Sequence, residues 1–397
     1  VTRAADHQRR RRRWSAAVLT CLMSVSLGFL APSAAAEGKR SRQWYLDAMQ
    51  AERMWQTSTG EGITVAVIDS GVDDSVPELR GQLLPGRDLS GEGRGANFDS
   101  EGHGTSMAMI IAGKRSGEGT WGLAPGSKVL PIRSVGGNWT VNMAKSIRFA
   151  ADQGAKVINI SRGGPASDLA KQVLQPAIDY ANQKGSLIFV ATGNDGAKGN
   201  APDYPSRLPG VVGVGAVDKT LKVTKFSVHG PQVALAAPGV EVPTRCTKAL
   251  LDCETWGTSD ATAIASASAA LVWSAHPDWT NNQVLRVMLE TAGKPEDGKV
   301  PSEYLGYGIV RPRKVLLDKE GDPGPPDVNP LVAPPNTAAP SEAPRPGTTK
   351  GTNKAAQKTA SRVKDDDSTT RLVMAGIVAA VGVAAIAGLV LVRRRRA

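Results

Sequence analysis

The sequence predicts an α/β domain, with a mostly parallel sheet covered by helices on both faces, followed by one C-terminal transmembrane helix. Three observations predict it. Short β-branched runs alternate with longer helix-spaced stretches over residues 63–291. Aromatic residues are only 5% of the chain, while Gly and Ala are abundant, which suits closely packed helices. Residues 372–392 carry no charge. As a helix they would span about 31 Å, against a hydrocarbon core of about 30 Å.

Taken in order, residues 1–36 read as a secretory signal peptide. Residues 9–13 are all arginine, 16–30 are apolar, and Ala34, Ala35 and Ala36 supply the small-residue cleavage pattern, with the cut expected after Ala36. Cys21 falls inside this leader. Residues 37–62 are polar and mixed, with Trp44 and Trp55 expected as anchors. Residues 63–68 form the first strand, with Asp69-Ser70-Gly71 at its end. A Gly-containing loop fills 77–99, and Gly102-His103-Gly104-Thr105 starts a helix that runs to Gly113. Strands are expected at 128–132, 157–160, 187–191, 211–217 and 233–236. Helices are expected at 140–153, 169–183 and 281–291. Gly257-Thr258-Ser259 leads into an Ala-rich helix that Pro277 ends. The globular domain is expected over residues 37–318. Residues 319–371 shift to Pro, Ala, Thr, Ser and Lys, and read as a disordered linker. Residues 393–396 are four arginines in a basic tail, 393–397. The positive-inside rule puts that tail in the cytoplasm and the domain outside, on the cell membrane.

The net charge of +11 resembles a nucleic-acid signal, but the termini carry it. Residues 1–36 contribute +5 and residues 393–396 contribute +4, which leaves +2 between them. No basic, aromatic-interleaved patch is present, so no nucleic-acid partner is expected. Cys246 and Cys253 remain after the leader, and an exported chain can pair them as a disulfide. No metal or cofactor site is evident. The acidic run Asp365-Asp366-Asp367 lies in the linker.

Serine-dependent peptide hydrolysis needs a nucleophile, a base, a carboxylate that orients the base, and donors for the oxyanion. Ser259 starts a helix, where free N–H groups favour developing negative charge. Among the histidines after the leader (His103, His229, His276), His103 stands between two glycines at a helix start. Asp69 ends a buried strand, where a lone carboxylate would be costly without a partner. Asn194 follows Thr192-Gly193 at another strand end. The chain order Asp, His, Asn, Ser separates this set from the chymotrypsin and α/β-hydrolase arrangements.

These motifs resemble those of the subtilisin-like serine proteases. The stretch from Val65 through Asp69-Ser70-Gly71 to Asp73 resembles the family's aspartate motif. His103-Gly104-Thr105 resembles its histidine motif, Gly193-Asn194 its oxyanion segment, and Gly257-Thr258-Ser259 its serine motif. The resemblance implies Asp69, His103 and Ser259 as the triad and Asn194 as an oxyanion donor. It implies a polypeptide substrate paired with the Ser161-Arg162-Gly163-Gly164 strand. The layout of leader, protease domain, linker, membrane helix and basic tail resembles the mycosins tied to type VII secretion in actinobacteria. That implies a secretion complex as partner, as a processing enzyme or as a scaffold. Two residues depart from the family pattern. Arg162 stands where leucine is usual, which suggests substrates with an acidic residue near the cut. Asp260 follows the nucleophile where Met or Phe is common. The helix dipole favours an acid there, but its charge would oppose an oxyanion.

Overall fold

The computed structural model describes residues 38–115, 119–201, 203–245 and 252–332. The expected leader, Cys246, most of the linker, the membrane helix and the basic tail lie outside these residues. Among the described residues, no helix is long and apolar enough to cross a membrane.

Three short helices come first: α1 (Lys39–Arg42), α2 (Trp44–Ala48) and α3 (Ala51–Met54). The first half of the core comprises β1 (Thr64–Asp69), β2 (Arg87–Asp88), α4 (His103–Ala112), β3 (Lys128–Arg133), α5 (Trp139–Asp152) and β4 (Val157–Ile160). It continues with β5 (Gly164–Pro165), α6 (Asp168–Gln183), β6 (Leu187–Ala191), β7 (Asp203–Tyr204), β8 (Val212–Val217) and β9 (Val233–Pro238). Last come β10 (Val242–Thr244), β11 (Cys253–Thr255), α7 (Thr258–Ala275), α8 (Asn281–Glu290) and α9 (Pro312–Leu316). Seven strands form one sheet in the order β2-β3-β1-β4-β6-β8-β9, and every neighbouring pair is parallel. The short antiparallel pairs β5–β7 and β10–β11 were not legible in the sequence. Strands of two or three residues carry no periodicity to read.

The sheet is buried on both faces, as parallel sheets with helical crossovers are. Side chains alternate between the faces with period two. In β1, Val65 and Val67 join the core shared with α4 and α7, whereas Ala66 and Ile68 join the core beneath α5 and α6. In β4, Val157 goes to the first core, and Ile158 and Ile160 to the second. The same alternation turns Asp69 toward the α4 and α7 side, and Ser161, two residues past Asn159, likewise.

Helix α7 is buried almost throughout, from Thr258 to Trp273. A helix of Ala, Ser, Thr and Ile has no polar face to present to water, so it belongs inside. Trp44 and Trp55 are anchors, with indole N–H groups donating to the carbonyls of Val240 (3.0 Å) and Leu123 (2.8 Å).

One boundary needs correction. The stretch from Lys319 was expected to start an extended linker, yet it runs back along α8. Arg286 donates to the carbonyls of Pro323 and Val328, Gln283 to Gly324, and Thr280 and Asn282 to Pro326. Proline lacks an N–H but keeps its carbonyl, so a Pro-rich segment can still dock as an acceptor.

Candidate active site

Asp69 is the last residue of β1 and is 1% exposed. Its Oδ1 accepts the Ser70 N–H at 2.7 Å. His103 is the first residue of α4, and its Nδ1 lies 2.8 Å from Oδ1 and 3.0 Å from Oδ2 of Asp69. The close approach of α4 to the end of β1 needs Gly104. A Cβ there would sit 2.2 Å from the carbonyl oxygen of Gly71 and 3.0 Å from Cβ of Asp69. The buried carboxylate of Asp99 fixes the helix start by accepting from the backbone N–H groups of Gly102 and Thr105.

Burial pushes the Asp69 carboxyl up, but His103 and then Arg162 hold it well below the usual carboxylate range. For His103, burial lowers the imidazole and Asp69 raises it, and the net direction is upward. The carboxylate thus stays ionised and favours a protonated ring.

Ser259 is the second residue of α7, where the helix leaves its first N–H groups unpaired. Its Oγ donates to the Ser161 carbonyl at 3.1 Å, and Ser161 Oγ donates to the Ser259 carbonyl at 3.2 Å. Among the described residues, Ser259 Oγ has no hydrogen bond to His103. Asn194 follows β6, and its amide oxygen accepts from the Thr258 N–H (2.9 Å) and lies 3.0 Å from Thr258 Oγ1. That anchors the oxygen and turns the amide nitrogen toward Gly257, 3.1 Å from where a Cβ would stand. Asp69, Ser161 and Asn194 occupy the carboxyl ends of β1, β4 and β6, where ligands of open α/β sheets gather.

Of residues 161–164, expected as a strand, only Gly164 lies in one, β5, where it pairs with Tyr204 of β7, so one edge there is already used. Arg162 does not present a spare charge. Its Nε lies 3.0 Å from Asp69 Oδ1, and its Nη2 pairs with Glu101. The guanidinium is spent within the protein, which removes the reason to expect acidic substrates.

Several contributing residues were not singled out in the sequence. Asn159 is fully buried in β4. It donates to Ser161 Oγ at 3.0 Å and accepts from Ser266 Oγ of α7 at 3.0 Å. An Asn inside an otherwise apolar Val-Ile-Asn-Ile run was the available signal. Glu101 carried no such signal. A cavity of about 720 Å³ lies elsewhere, bordered by Trp44, Leu221, Pro238, Tyr304 and Arg311. It includes none of the groups above.

The subtilase family model matches residues 60–308, more than half of the chain. Thermitase from Thermoactinomyces vulgaris is 36% identical over 204 residues, covering 50% of this chain and 71% of thermitase. The crystal structure of MycP1 from Mycobacterium smegmatis matches with a TM-score of 0.62 at 28% identity, covering 75% of this chain and 88% of that one. The MycP3 protease from the type VII (ESX-3) secretion system matches with a TM-score of 0.60 at 31% identity, covering 69% and 87%. Mycosins are therefore among the structural neighbours.

Proposed function

The chain belongs to the subtilase family of serine peptidases, and on that premise we propose a membrane-anchored endopeptidase that uses Asp69, His103 and Ser259 as its triad. The observation that carries this reading is the buried His103–Asp69 pair, with Ser259 in the first turn of the buried helix α7.

In this reading, the Ser259 hydroxyl turns from the Ser161 carbonyl to the imidazole as substrate enters. Hydrogen bonds of this kind are often loose before substrate binds. Ser259 Oγ attacks the scissile carbonyl, and His103 Nε2 takes its proton. His103 Nδ1–H donates to Asp69, which fixes the tautomer and stabilises the imidazolium. The oxyanion is held by the Asn194 amide and the Ser259 N–H. His103 then returns the proton to the leaving amine, and water repeats the sequence on the acyl-enzyme. The segment Ser161-Arg162-Gly163-Gly164 pairs with the substrate backbone.

The proposal extends to the rest of the chain. Residues 1–36 serve as a leader, 372–392 as the membrane helix and 393–397 as a cytoplasmic tail. Cys246 and Cys253 form a disulfide on the extracellular side. The resemblance to MycP3 supports a role beside a type VII secretion complex, with exported polypeptides as substrates. A scaffold role in that complex is the alternative.

A fluorophosphonate probe tests the reading. It should label the full-length protein and fail to label Ser259→Ala. A folded wild type that takes no label would remove the proteolytic reading. Secretion that persists in cells carrying only Ser259→Ala would favour the scaffold.

A further inference from the structure

Glu101 and Arg162 have no part in the chemistry above, yet both stand at it. Arg162 Nε reaches the same Asp69 oxygen that faces His103 Nδ1, at 3.0 Å against 2.8 Å. The other branch of the guanidinium pairs with Glu101. Charges therefore alternate along Glu101, Arg162, Asp69 and His103. Asp69 is completely shielded from water, while Arg162 and Glu101 are partly exposed. Two cationic groups thus share one buried carboxylate once the imidazole is protonated.

We propose that Arg162, braced by Glu101, is a positioning residue of the proteolytic site that holds Asp69 jointly with His103 and limits how strongly that carboxylate supports the imidazolium. This rests on the assignment of His103 as the general base.

The charges facing His103 come from three elements. Asp69 approaches from β1, Arg162 from the loop after β4, and Asp260 from α7. Both acids favour the protonated ring, and Arg162 opposes it. Glu101, in the turn before α4, faces the guanidinium and offsets part of its charge. Arg162 therefore does two things at once. It fixes the carboxylate in place through a directed bond, and it withdraws negative charge from the imidazole. A site with leucine at this position would lack both effects.

The test is the rate at which a fluorophosphonate inactivates the full-length protein, measured against pH. The rising limb reports deprotonation of His103. Arg162→Leu should move that limb upward by about one pH unit. Inactivation would be about tenfold slower on the acid side and as fast or faster on the plateau. Arg162→Lys keeps the charge and should keep the limb near the wild-type position. Glu101→Gln, a change at a half-exposed side chain, leaves the guanidinium unbalanced and should move the limb the other way, by a few tenths of a unit. In the Arg162→Leu background it should move nothing. A purely structural role would scale the rate at every pH and leave the limb in place, which would overturn the inference. A Glu101→Gln shift of equal size with and without Arg162 would also overturn it. A folded wild type that reacts at no pH would instead overturn the proteolytic reading, and this inference with it.

Discussion

Asp260 follows Ser259 directly and is 1% exposed. Its Oδ1 lies 3.1 Å from Thr255 Oγ1, and its Oδ2 has no hydrogen-bond partner among the described residues. Burial pushes this carboxyl up to about 7, with His103 and Thr255 pulling the other way. The charge expected to oppose an oxyanion is thus only partly present at neutral pH. The sign for stability follows from the raised value. The folded protein keeps a proton that the unfolded chain loses near the ordinary carboxylate pKa. This contribution is full in acid and is lost as pH rises through 7. Asp260→Asn has no such dependence. Its stability relative to wild type should rise by roughly 2–3 kcal/mol from pH 5 to pH 8, read by urea denaturation at both values. A constant difference would show that Asp260 is ionised throughout. The sequence placed an acid here but could not say which of its oxygens would find a donor, because that depends on what packs over it.

At the scale of elements, the contact between α7 and β4 sets the site. Ser266 and Asn159 are 107 positions apart, and their bond fixes the depth at which Ser259 emerges beside Ser161. Ser266→Ala would leave the buried Asn159 oxygen without a donor. The expected cost is about 1–3 kcal/mol in a denaturant titration, with slower fluorophosphonate labelling. A loss below about 0.5 kcal/mol would mean that another donor takes over. The two elements were legible separately, one as a β-branched run and the other as an Ala-rich run ended by Pro277. Their pairing was not, because small residues pack equally well in several registers. Only the buried polar atoms choose among those registers.

Across the whole molecule, the core is closed by segments from both ends of the described chain. Arg42 of α1 reaches Asp252 (2.5 Å) and Glu254 (3.3 Å), beside and within β11. Residues 321–328 lie on α8, where Arg286 Nη2 donates to the Val328 carbonyl at 2.7 Å. Arg286→Ala should lower stability by about 1 kcal/mol. It should also speed cleavage between residues 319 and 332 by an added broad-specificity protease. The Ser259→Ala background keeps self-digestion out of that measurement. Unchanged cleavage would show that Thr280, Asn282 and Gln283 hold the segment without Arg286.

By itself the sequence determined the α/β class with its mostly parallel sheet and the order of the main strands and helices, and it singled out the residues proposed as the triad. These are local properties, since period-two and helical spacing, glycine turns and a helix stop are each set within a few residues. The tertiary structure alone decided what each charged group faces. It turned Arg162 from an expected contact for acidic substrates into a partner of Asp69, and it buried Asp260 with one oxygen unpaired among the described residues. It also drew the Pro-rich stretch after Leu317 onto α8. Electrostatics and hydrogen bonding depend on distance in space and on exclusion of water, and neither is written in the spacing of residues along the chain.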